Sequence, residues 1–203
     1  MTTPAPSPPV VGIVLAAGAG ARFAGPTPKL LAPVAGRPLV VHGVAAAVEA
    51  GIGPVVVVTG ASDVAAALSD ALAGAGLLDQ VELVPNPHWA DGQATSLAAG
   101  IVAADRLGAD VVVVGLGDQP GVSAEAWRRV AAADSRSAIV VATYGGRRRN
   151  PVRLDRSIWA ELPNTGDEGA RSLMAGRPEL VTEIGCPGQP DDVDTLEDLA
   201  RWS

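Results

Sequence analysis

Two basic residues, Arg22 and Lys29, belong to a glycine-rich stretch that begins as VLAAGAGARFAG at residues 14–25, directly after an apolar run. Glycines that follow a buried strand allow a tight turn and a close approach of backbone N–H groups to a ligand. A guanidinium and an ammonium beside that turn would neutralise phosphate oxygens. The stretch therefore predicts a phosphate-binding loop shaped by Gly18 and Gly20. A glycine turn with two solvated cations is the alternative interpretation.

The spacing of the glycines disfavours two common nucleotide-binding motifs. A dinucleotide fingerprint needs a third glycine at position 23, where this chain has Phe23. A P-loop needs Gly-Lys followed by serine or threonine, whereas Gly25 is followed by Pro26. Dehydrogenase and P-loop functions both lose support.

Two carboxylates are candidate metal ligands. Asp118, in GLGDQP at 115–120, follows a run of four valines and is expected at the ligand-binding edge of a sheet. Mg²⁺ prefers oxygen ligands and needs only one or two carboxylates beside substrate phosphates. A turn aspartate that caps nearby N–H groups is the alternative. Asp194, in DDVDTLEDL, precedes a predicted helix, and taken alone Asp194 or Thr195 is more typical of an N-cap.

A polar loop, NPHWADGQATSL at 86–97, ends in a predicted helix N-terminus. Its side-chain amide, carboxylate and hydroxyl groups, together with backbone groups, suit the base or ribose of a nucleotide. Asp91, Gly92 and Ser96 are the candidates here, and Ser96 is also predicted to cap the helix that follows.

The densest positive run is GRRRNP at 146–151. It would receive an anionic substrate or form an exposed turn, and the residues leave both interpretations open. The formal net charge of −7 disfavours nucleic acid or an anionic membrane surface as a partner, because both repel an acidic protein. A nucleotide would therefore need local cations or a metal.

Alternating strand-like and helix-like segments must position these residues. β-Branched runs predict strands at 10–17, 54–60, 81–86, 110–118 and 138–144. Four helices are predicted between these strands. The first runs from Pro38 to 50. The other three are capped by Ser62, Ser96 and Ser123 and end at 73, 107 and 133, respectively. This order predicts a mainly parallel sheet with helices on both faces and ligand-binding loops after residues 17, 59, 85 and 117. Beyond 144, a turn, a short strand and helices near 155–161 and 167–175 would make the sheet mixed.

The length of 203 residues suits one domain, predicted over 10–203 after a disordered tail over 1–9. Cys186 is the single cysteine, so an internal disulfide is excluded and a reduced cytoplasm fits best. The N-terminus lacks the composition of a signal peptide. No uninterrupted apolar stretch approaches 18 residues, so no membrane span is predicted.

Taken together, the motifs resemble those of the MobA-like nucleotidyltransferases, most closely the molybdenum cofactor cytidylyltransferase group. The resemblance runs from Val11 to Leu199 and rests on the order and spacing of LAAGAGARFAG…PKLLAPVAGRPLVVH, NPHWADGQATSL, GDQP, GRRRNPV, GDEGAR and DVDTLEDL. It implies an α/β fold of the nucleotide-diphospho-sugar transferase type. Such a fold is a three-layer α/β/α sandwich with a Rossmann-like sheet that is mixed but mostly parallel. It also implies Mg²⁺-dependent transfer of a nucleotidyl group from a nucleoside triphosphate to the terminal phosphate of a molybdopterin cofactor, with release of pyrophosphate.

The resemblance also implies roles for individual residues. Those expected to bind the nucleotide are Leu15, Ala16, Ala17, Gly18, Gly20, Arg22, Lys29, Asp91, Gly92 and Ser96. Asp118 and Asp194 would hold the metal, and Arg22, Lys29 and Asp118 would be catalytic. Arg148, Arg149 and Asn150 would bind the acceptor.

The base is indicated by residues 15–18, Leu-Ala-Ala-Gly, which resemble the cytidylyl-transferring branch rather than the Leu-Ala-Gly-Gly of the guanylyl-transferring branch. CTP is therefore the expected donor. Asn150 departs from the pattern, since many relatives have histidine before the proline, and extra prolines stand between Phe23 and Lys29.

Three further functions stay open at this point. The first is a GTP-using MobA-type activity, and the second is transfer to a sugar or polyol phosphate. The third is a non-catalytic protein that holds the cofactor while a partner molybdoenzyme matures.

Overall fold

The computed structural model describes residues 9–73, 76–134 and 136–202. The predicted disordered tail over 1–9 lies outside the described residues except for Pro9, whose carbonyl accepts backbone hydrogen bonds from Asp110 and Val111. The boundary of a single domain over 10–203 stays a prediction.

A seven-stranded sheet forms the centre of the described chain, in the order β5-β4-β1-β6-β8-β7-β9. The strands of the chain are β1 (Val10–Ala16), β2 (Pro33–Val34), β3 (Arg37–Pro38), β4 (Val55–Thr59), β5 (Val81–Pro85), β6 (Val111–Leu116), β7 (Ile139–Tyr144), β8 (Arg147–Asp155) and β9 (Val181–Gly185). Of these, β2 and β3 lie outside the large sheet and pair with each other in a separate hairpin. β8 runs antiparallel to both of its neighbours, and the other pairs in the sheet are parallel. The predicted mixed, mostly parallel sheet is confirmed.

Helices cover both faces of this sheet. The α-helices are α1 (Leu39–Glu49), α2 (Ala65–Ala73), α3 (Gln93–Arg106), α4 (Ala124–Ala131), α5 (Arg171–Gly176) and α6 (Leu196–Ala200). Short 3₁₀ helices cover Lys29–Leu31, Leu78–Gln80, Trp89–Asp91, Arg156–Glu161 and Pro178–Leu180. The helix predicted near 155–161 is therefore a 3₁₀ helix, and the one predicted over 167–175 is the shorter α5.

The predicted helix caps have mixed outcomes. Ser123 caps α4, since its hydroxyl accepts a hydrogen bond from the Ala126 N–H at 3.2 Å. The prediction for Ser96 is wrong, because the N-cap of α3 is Gly92, four residues earlier, and the helix begins at Gln93. Gly92 has φ 109°, and a Cβ there would lie 2.4 Å from the Gly166 backbone, so no larger residue fits at the helix start.

At α2 the residue that caps the first turn also differs from the prediction. The side chain of Asp63, rather than the predicted Ser62, accepts a hydrogen bond from the Ala65 N–H, at 3.1 Å.

Two apolar cores fill the spaces between the sheet and its helices. One packs α1, α2 and α4 against the first face, and the other packs α3, the 3₁₀ helix Arg156–Glu161 and α5 against the second. Glycine permits close packing on both faces: a Cβ at Gly43 would lie 3.0 Å from the Leu116 carbonyl oxygen, and one at Gly100 would lie 2.8 Å from Ile13 Cγ2. The three-layer α/β/α arrangement follows. Among the described residues, no helix is long and apolar enough to cross a membrane.

The carboxyl ends of four neighbouring strands bring the predicted loops to one edge of the sheet. β5, β4, β1 and β6 all run parallel, so the loops that follow them share this edge. A later segment reaches the same edge, because the Val193 N–H donates to the Asp118 carbonyl at 3.0 Å. The sheet therefore gathers side chains that are far apart in the sequence.

Candidate active site

Four charged side chains meet at this edge, and we call them the charged cluster: Arg22, Lys29, Asp118 and Asp194. Lys29 Nζ lies 2.6 Å from Asp118 Oδ2 and 3.1 Å from Asp194 Oδ1. Arg22 Nη2 lies 2.8 Å from Asp194 Oδ2. The structure thus brings together the two cations and two carboxylates that the sequence singled out. The cations pair with the carboxylates here.

Lys29 occupies the centre of the charged cluster. Its side chain is only 9% exposed, whereas that of Arg22 is 77% exposed. Burial by itself would lower the pKa of Lys29, but Asp118 and Asp194 outweigh burial and raise it. The ammonium therefore stays charged at neutral pH.

Gly20 gives Lys29 the space that it needs. Gly20 has φ 64°, and a Cβ at this position would lie 2.7 Å from Lys29 Cβ and 3.2 Å from Lys29 Cδ. Only glycine accommodates both the left-handed backbone and the adjacent lysine stem. The role of Gly20 in shaping the loop thus extends to the position of the lysine.

Asp118 follows the end of β6, where the backbone holds it from two sides. The Gly117 N–H donates to the Leu15 carbonyl at 2.9 Å, and the Asp118 carbonyl accepts from Val193. Asp118 Oδ2 binds Lys29, whereas the buried Oδ1 has no hydrogen-bond partner among the described residues. One carboxylate oxygen is left for a further ligand.

Asp194 is placed by the start of α6. Thr195, not Asp194, is the N-cap, and it forms a capping box with Asp198. The Asp198 carboxylate also accepts a hydrogen bond from the Asp194 N–H at 3.1 Å. The capping box fixes the backbone before the helix and leaves the Asp194 side chain for Lys29 and Arg22.

Sequence reasoning missed two residues beside the charged cluster, Gln119 and Asp192. Gln119 is 2% exposed, and its amide donates to Asp192 Oδ1 at 2.7 Å and to the Pro190 carbonyl at 3.1 Å. These bonds tie the segment that carries Asp194 to the end of β6. The pKa of Asp192 is raised. The main cause is the loss of solvent around its carboxyl group, and the second is the negative charge of Asp118. The position of Gln119, next to Asp118 in the loop that follows β6, was the one available signal.

The charged cluster fits a divalent cation of the magnesium type. Asp118 and Asp194 supply hard carboxylate oxygens, and Asp118 Oδ1 is unpartnered. Within the described ranges, no group of three or more histidine, cysteine, aspartate or glutamate side chains is arranged around a metal position. A site with two carboxylates suits a cation that completes its shell with substrate phosphates and water.

A cavity of about 550 Å³ adjoins the charged cluster, and we call it the sheet cavity. Its apolar lining comes from the second face of the sheet and from α3 and α5, through Leu15, Leu97, Val114, Leu116, Val141, Val152, Leu154 and Met174. Its polar lining comprises Gln93, Gln119, Arg148, Arg149, Asn150, Glu168, Arg171 and Asp192. Gln119 and Asp192 thus belong to the boundary between the two regions.

The three predicted acceptor residues all line the sheet cavity, but they differ in their contacts. Arg148 Nε lies 2.7 Å from Glu183 Oε1, whereas Arg149 donates to the Arg148 carbonyl at 3.0 Å. The Asn150 amide donates to the Val114 carbonyl at 3.2 Å, so this side chain helps to join β8 to β6. Arg171 was not predicted; its one signal was its place in the GDEGAR motif.

The polar loop at 86–97 is organised around a buried amide. Asn86 donates to Ser96 Oγ at 3.0 Å and to Thr95 Oγ1 at 2.9 Å. Ser96 is 4% exposed, so its hydroxyl supports Asn86 in this structure. Asp91 lies 3.7 Å from His88 and lines a separate cavity on the outer side of α3. Nucleotide contacts of Asp91, Gly92 and Ser96 stay predictions.

The predicted nucleotide segment at the end of β1 is buried up to Ala17 and exposed from Gly18. Ala16 packs in the first core, and Leu15 lines the sheet cavity. The Ala17 carbonyl accepts from the Ala61 N–H at 2.9 Å, and a Cβ at Gly60 would lie 2.9 Å from the Ala17 methyl. That methyl therefore faces the loop after β4.

Comparison with known proteins identifies the family of this chain. The MobA-like NTP transferase domain matches residues 12–182. A curated relative, the bifunctional protein GlmU of Dinoroseobacter shibae, is 34% identical over 148 residues, which are 72% of this chain. The chain spans only 31% of that relative's length.

Solved structures match over nearly the whole chain. A nucleotidyl transferase from Methanothermobacter superposes with a TM-score of 0.77 at 25% identity, covering 95% of this chain and 94% of its own. Rv0371c from Mycobacterium tuberculosis gives a TM-score of 0.77 at 28% identity, with coverages of 96% and 97%. A manganese complex of Rv0371c gives a TM-score of 0.73 at 28% identity, covering 95% of this chain and 97% of its own. With the family match, these findings establish that the chain belongs to the MobA-like NTP transferase family and has the fold of solved nucleotidyltransferases.

Proposed function

We propose that this protein transfers CMP from CTP to the terminal phosphate of a molybdopterin-type acceptor, with Mg²⁺ as cofactor and pyrophosphate as the second product. The observation that carries the proposal is the meeting of Arg22, Lys29, Asp118 and Asp194 beside the sheet cavity. One region would bind the triphosphate, and the adjoining region would bind the acceptor.

In the proposed reaction, an oxygen of the acceptor phosphate forms a bond to the α-phosphorus of CTP. The bond from that phosphorus to the bridging oxygen breaks, and pyrophosphate leaves with the electron pair. The acceptor phosphate is already ionised at neutral pH, so no general base is needed. Catalysis then depends on alignment and on neutralising charge at the phosphates.

The charged cluster supplies this neutralisation. Arg22 is largely exposed, so its guanidinium is free to turn from Asp194 toward incoming phosphate oxygens. Lys29 is buried and stays protonated, so it presents a fixed positive charge. A divalent cation held by Asp118 and Asp194 would add charge at the α-phosphate and the leaving pyrophosphate. The manganese complex of Rv0371c supports a divalent cation in this family.

The nature of the sheet cavity favours a ring-bearing acceptor. Its floor is formed by aliphatic side chains such as Val114, Val152 and Leu154, which offer no hydrogen bonds to the hydroxyl groups of a sugar. Arginines and Asn150 line the same cavity. A planar heterocycle that carries a phosphate matches this combination better than a sugar phosphate does.

The choice of CTP rests on residues 15–18, Leu-Ala-Ala-Gly, and on the resemblance of this segment to the cytidylyl-transferring branch. The Ala17 methyl narrows the space between the loops after β1 and β4. Ala17→Gly is therefore the informative variant for base preference.

Two measurements test the proposed function. Thermal shifts with CTP, GTP, ATP and UTP, each with Mg²⁺, are expected to be largest for CTP, because a ligand that binds the folded state raises its stability. Ala17→Gly should reduce the preference for CTP over GTP. Equal shifts for all four nucleotides would contradict the choice of base.

Pyrophosphate release with CTP and Mg²⁺ then identifies the acceptor. Release is expected with molybdopterin cofactor and not with a panel of sugar and polyol phosphates. Release with a member of that panel would point to the alternative transferase, and nucleotide binding without any release would point to a non-catalytic maturation protein.

A further inference from the structure

We propose that Arg149 and Arg171 together bind the anionic group of the acceptor, and that the neighbouring Arg148 does not. The proposal rests on the proposed function, in that the sheet cavity is taken as the acceptor site. It names a residue pair that the sequence motifs did not bring together, because Arg149 lies on β8 and Arg171 begins α5.

The two side chains share one electrostatic property: neither guanidinium forms an ion pair with a carboxylate of the described residues. Most arginines of the described chain pair with a carboxylate, as Arg106, Arg156 and Arg177 do. Across residues 9–73, 76–134 and 136–202, no carboxylate lies within ion-pair distance of Arg149 or Arg171, although the chain carries a net charge of −7. Both line the same cavity. Two open guanidinium groups from different elements provide a site for an external anion.

Arg148 provides the contrast within the same cavity. Its Nε lies 2.7 Å from Glu183 Oε1, so its charge is already compensated by β9. An acceptor phosphate would have to compete with that carboxylate. Arg148 therefore serves as the matched control for Arg149, one residue away on the same strand.

The rest of the cavity defines the ligand class. Leu15, Val114 and Val152 form apolar surface on the sheet, and Met174 of α5 adds a polarisable side chain of the kind that packs against rings. The volume of about 550 Å³ is in the range that holds a ligand of cofactor size rather than a bare phosphate. The expected ligand is a planar heterocycle with a phosphate, whose ring contacts the sheet while its phosphate meets Arg149 and Arg171.

The test compares Arg149→Ala, Arg171→Ala, the double variant and Arg148→Ala. Equilibrium binding of molybdopterin is measured by calorimetry, with dephosphorylated molybdopterin as the second probe. Arg149→Ala and Arg171→Ala should each weaken binding of phosphorylated molybdopterin about tenfold or more, because each removes charged hydrogen bonds. The double variant should weaken this binding further. Arg148→Ala should change it less than threefold. Binding of the dephosphorylated probe should be weaker and insensitive to all four changes.

Two further measurements separate this inference from a folding defect. Thermal unfolding and the CTP–Mg²⁺ thermal shift should match those of the parent protein. Arg149→Lys and Arg171→Lys should recover binding only in part, because lysine keeps the charge but loses the planar fork.

The inference is overturned if the parent protein does not bind molybdopterin, or if Arg148→Ala weakens binding as much as the other two variants. It is also overturned if both probes lose affinity equally. Binding that depends on Arg149 and Arg171, without pyrophosphate release, would instead support the inference and reject the proposed transfer reaction.

Discussion

The charged cluster and the sheet cavity adjoin each other, but their charges are arranged in opposite ways. In the charged cluster, every side chain has an oppositely charged partner within 3.1 Å. In the sheet cavity, Arg148 is paired with Glu183, whereas no carboxylate of the described ranges lies within ion-pair distance of Arg149 or Arg171, although Glu168 and Asp192 line the same cavity. The first region is assembled before any ligand arrives, and the second keeps positive charge available for one.

This difference follows from burial. Lys29 is nearly inaccessible, and an unpaired buried ammonium would cost several kcal/mol, so its two carboxylates are required for stability as well as for chemistry. Arg149 and Arg171 are exposed and keep their hydration without a partner. Substitutions in the charged cluster should therefore have the larger effects.

The largest expected effect is that of Asp118→Asn. This change removes a proposed cation ligand and leaves Lys29 with one carboxylate. Turnover should fall by about a thousandfold or more, while nucleotide binding weakens less, because charge neutralisation matters most in the transition state. Single-turnover pyrophosphate release and CTP thermal shifts measure the two effects. Asp105→Asn, which removes a surface partner of Arg156, is the control. Unchanged turnover in Asp118→Asn would reject the metal role.

The next effect is that of Gly20→Ala, which changes no charge. The new methyl group would lie 2.7 Å from Lys29 Cβ and would displace the lysine. A displacement of about 1 Å in a catalytic group typically costs about a hundredfold in rate. The measurement is kcat in the pyrophosphate assay. Gly185→Ala, where a Cβ would meet nothing within 4 Å, is the control and should keep full turnover. Equal kcat values for Gly20→Ala and Gly185→Ala would show that the position of Lys29 does not affect catalysis.

Gln119→Ala tests whether the two regions are coupled. The variant loses the hydrogen bonds to Pro190 and Asp192, which hold the segment that carries Asp194. We expect a loss of about 1–3 kcal/mol in the free energy of unfolding. Turnover should fall and the KM for the acceptor should rise together, because Gln119 belongs to both regions. Chemical denaturation and steady-state kinetics provide the measurements.

Gln189→Ala serves as the control for that variant, since the exposed Gln189 uses its backbone N–H to bind Gly121. A change in stability alone, with both kinetic constants intact, would show that Gln119 has no positioning role.

The smallest expected effect is that of Glu183→Gln, which removes the charge that compensates Arg148. The sheet cavity would gain a third available guanidinium, and acceptor affinity should rise by less than about fivefold, as expected for an exposed ion pair. Calorimetry with molybdopterin measures this change. Glu179→Gln, which alters a pair with Arg177 elsewhere, should have no effect. Weaker acceptor binding in Glu183→Gln would contradict the distinction between paired and open arginines.

Much of the sheet was predictable because β1, β4 and β6 are continuous valine-rich runs buried on both faces. β8 was predicted only as a short strand, because Arg147–Asp155 begins with three arginines that resemble a turn, yet it lies inside the sheet. β9 was not predicted, because it is an edge strand with only partial burial and therefore a weak apolar pattern.

The individual residues of the charged cluster were also predictable, but their contacts were not. Lys29 and Asp194 are 165 positions apart, so only the three-dimensional fold reveals that they pair. Ser96 was predicted as a cap from its residue type, but the backbone of Gly166 beside Gly92 sets the helix start. Arg171 was missed because nothing in the local sequence connects α5 with β8.

The position of Asp194 in the chain has a consequence for biosynthesis. This residue follows β9, so it leaves the ribosome only after every strand of the central sheet has been made. A nascent chain therefore has the apolar runs needed to form the sheet before it has the second acid that compensates Lys29. A chain that ends before Asp194 would keep every strand of the sheet but leave Lys29 with Asp118 alone, so it should bind nucleotide more weakly than the full chain.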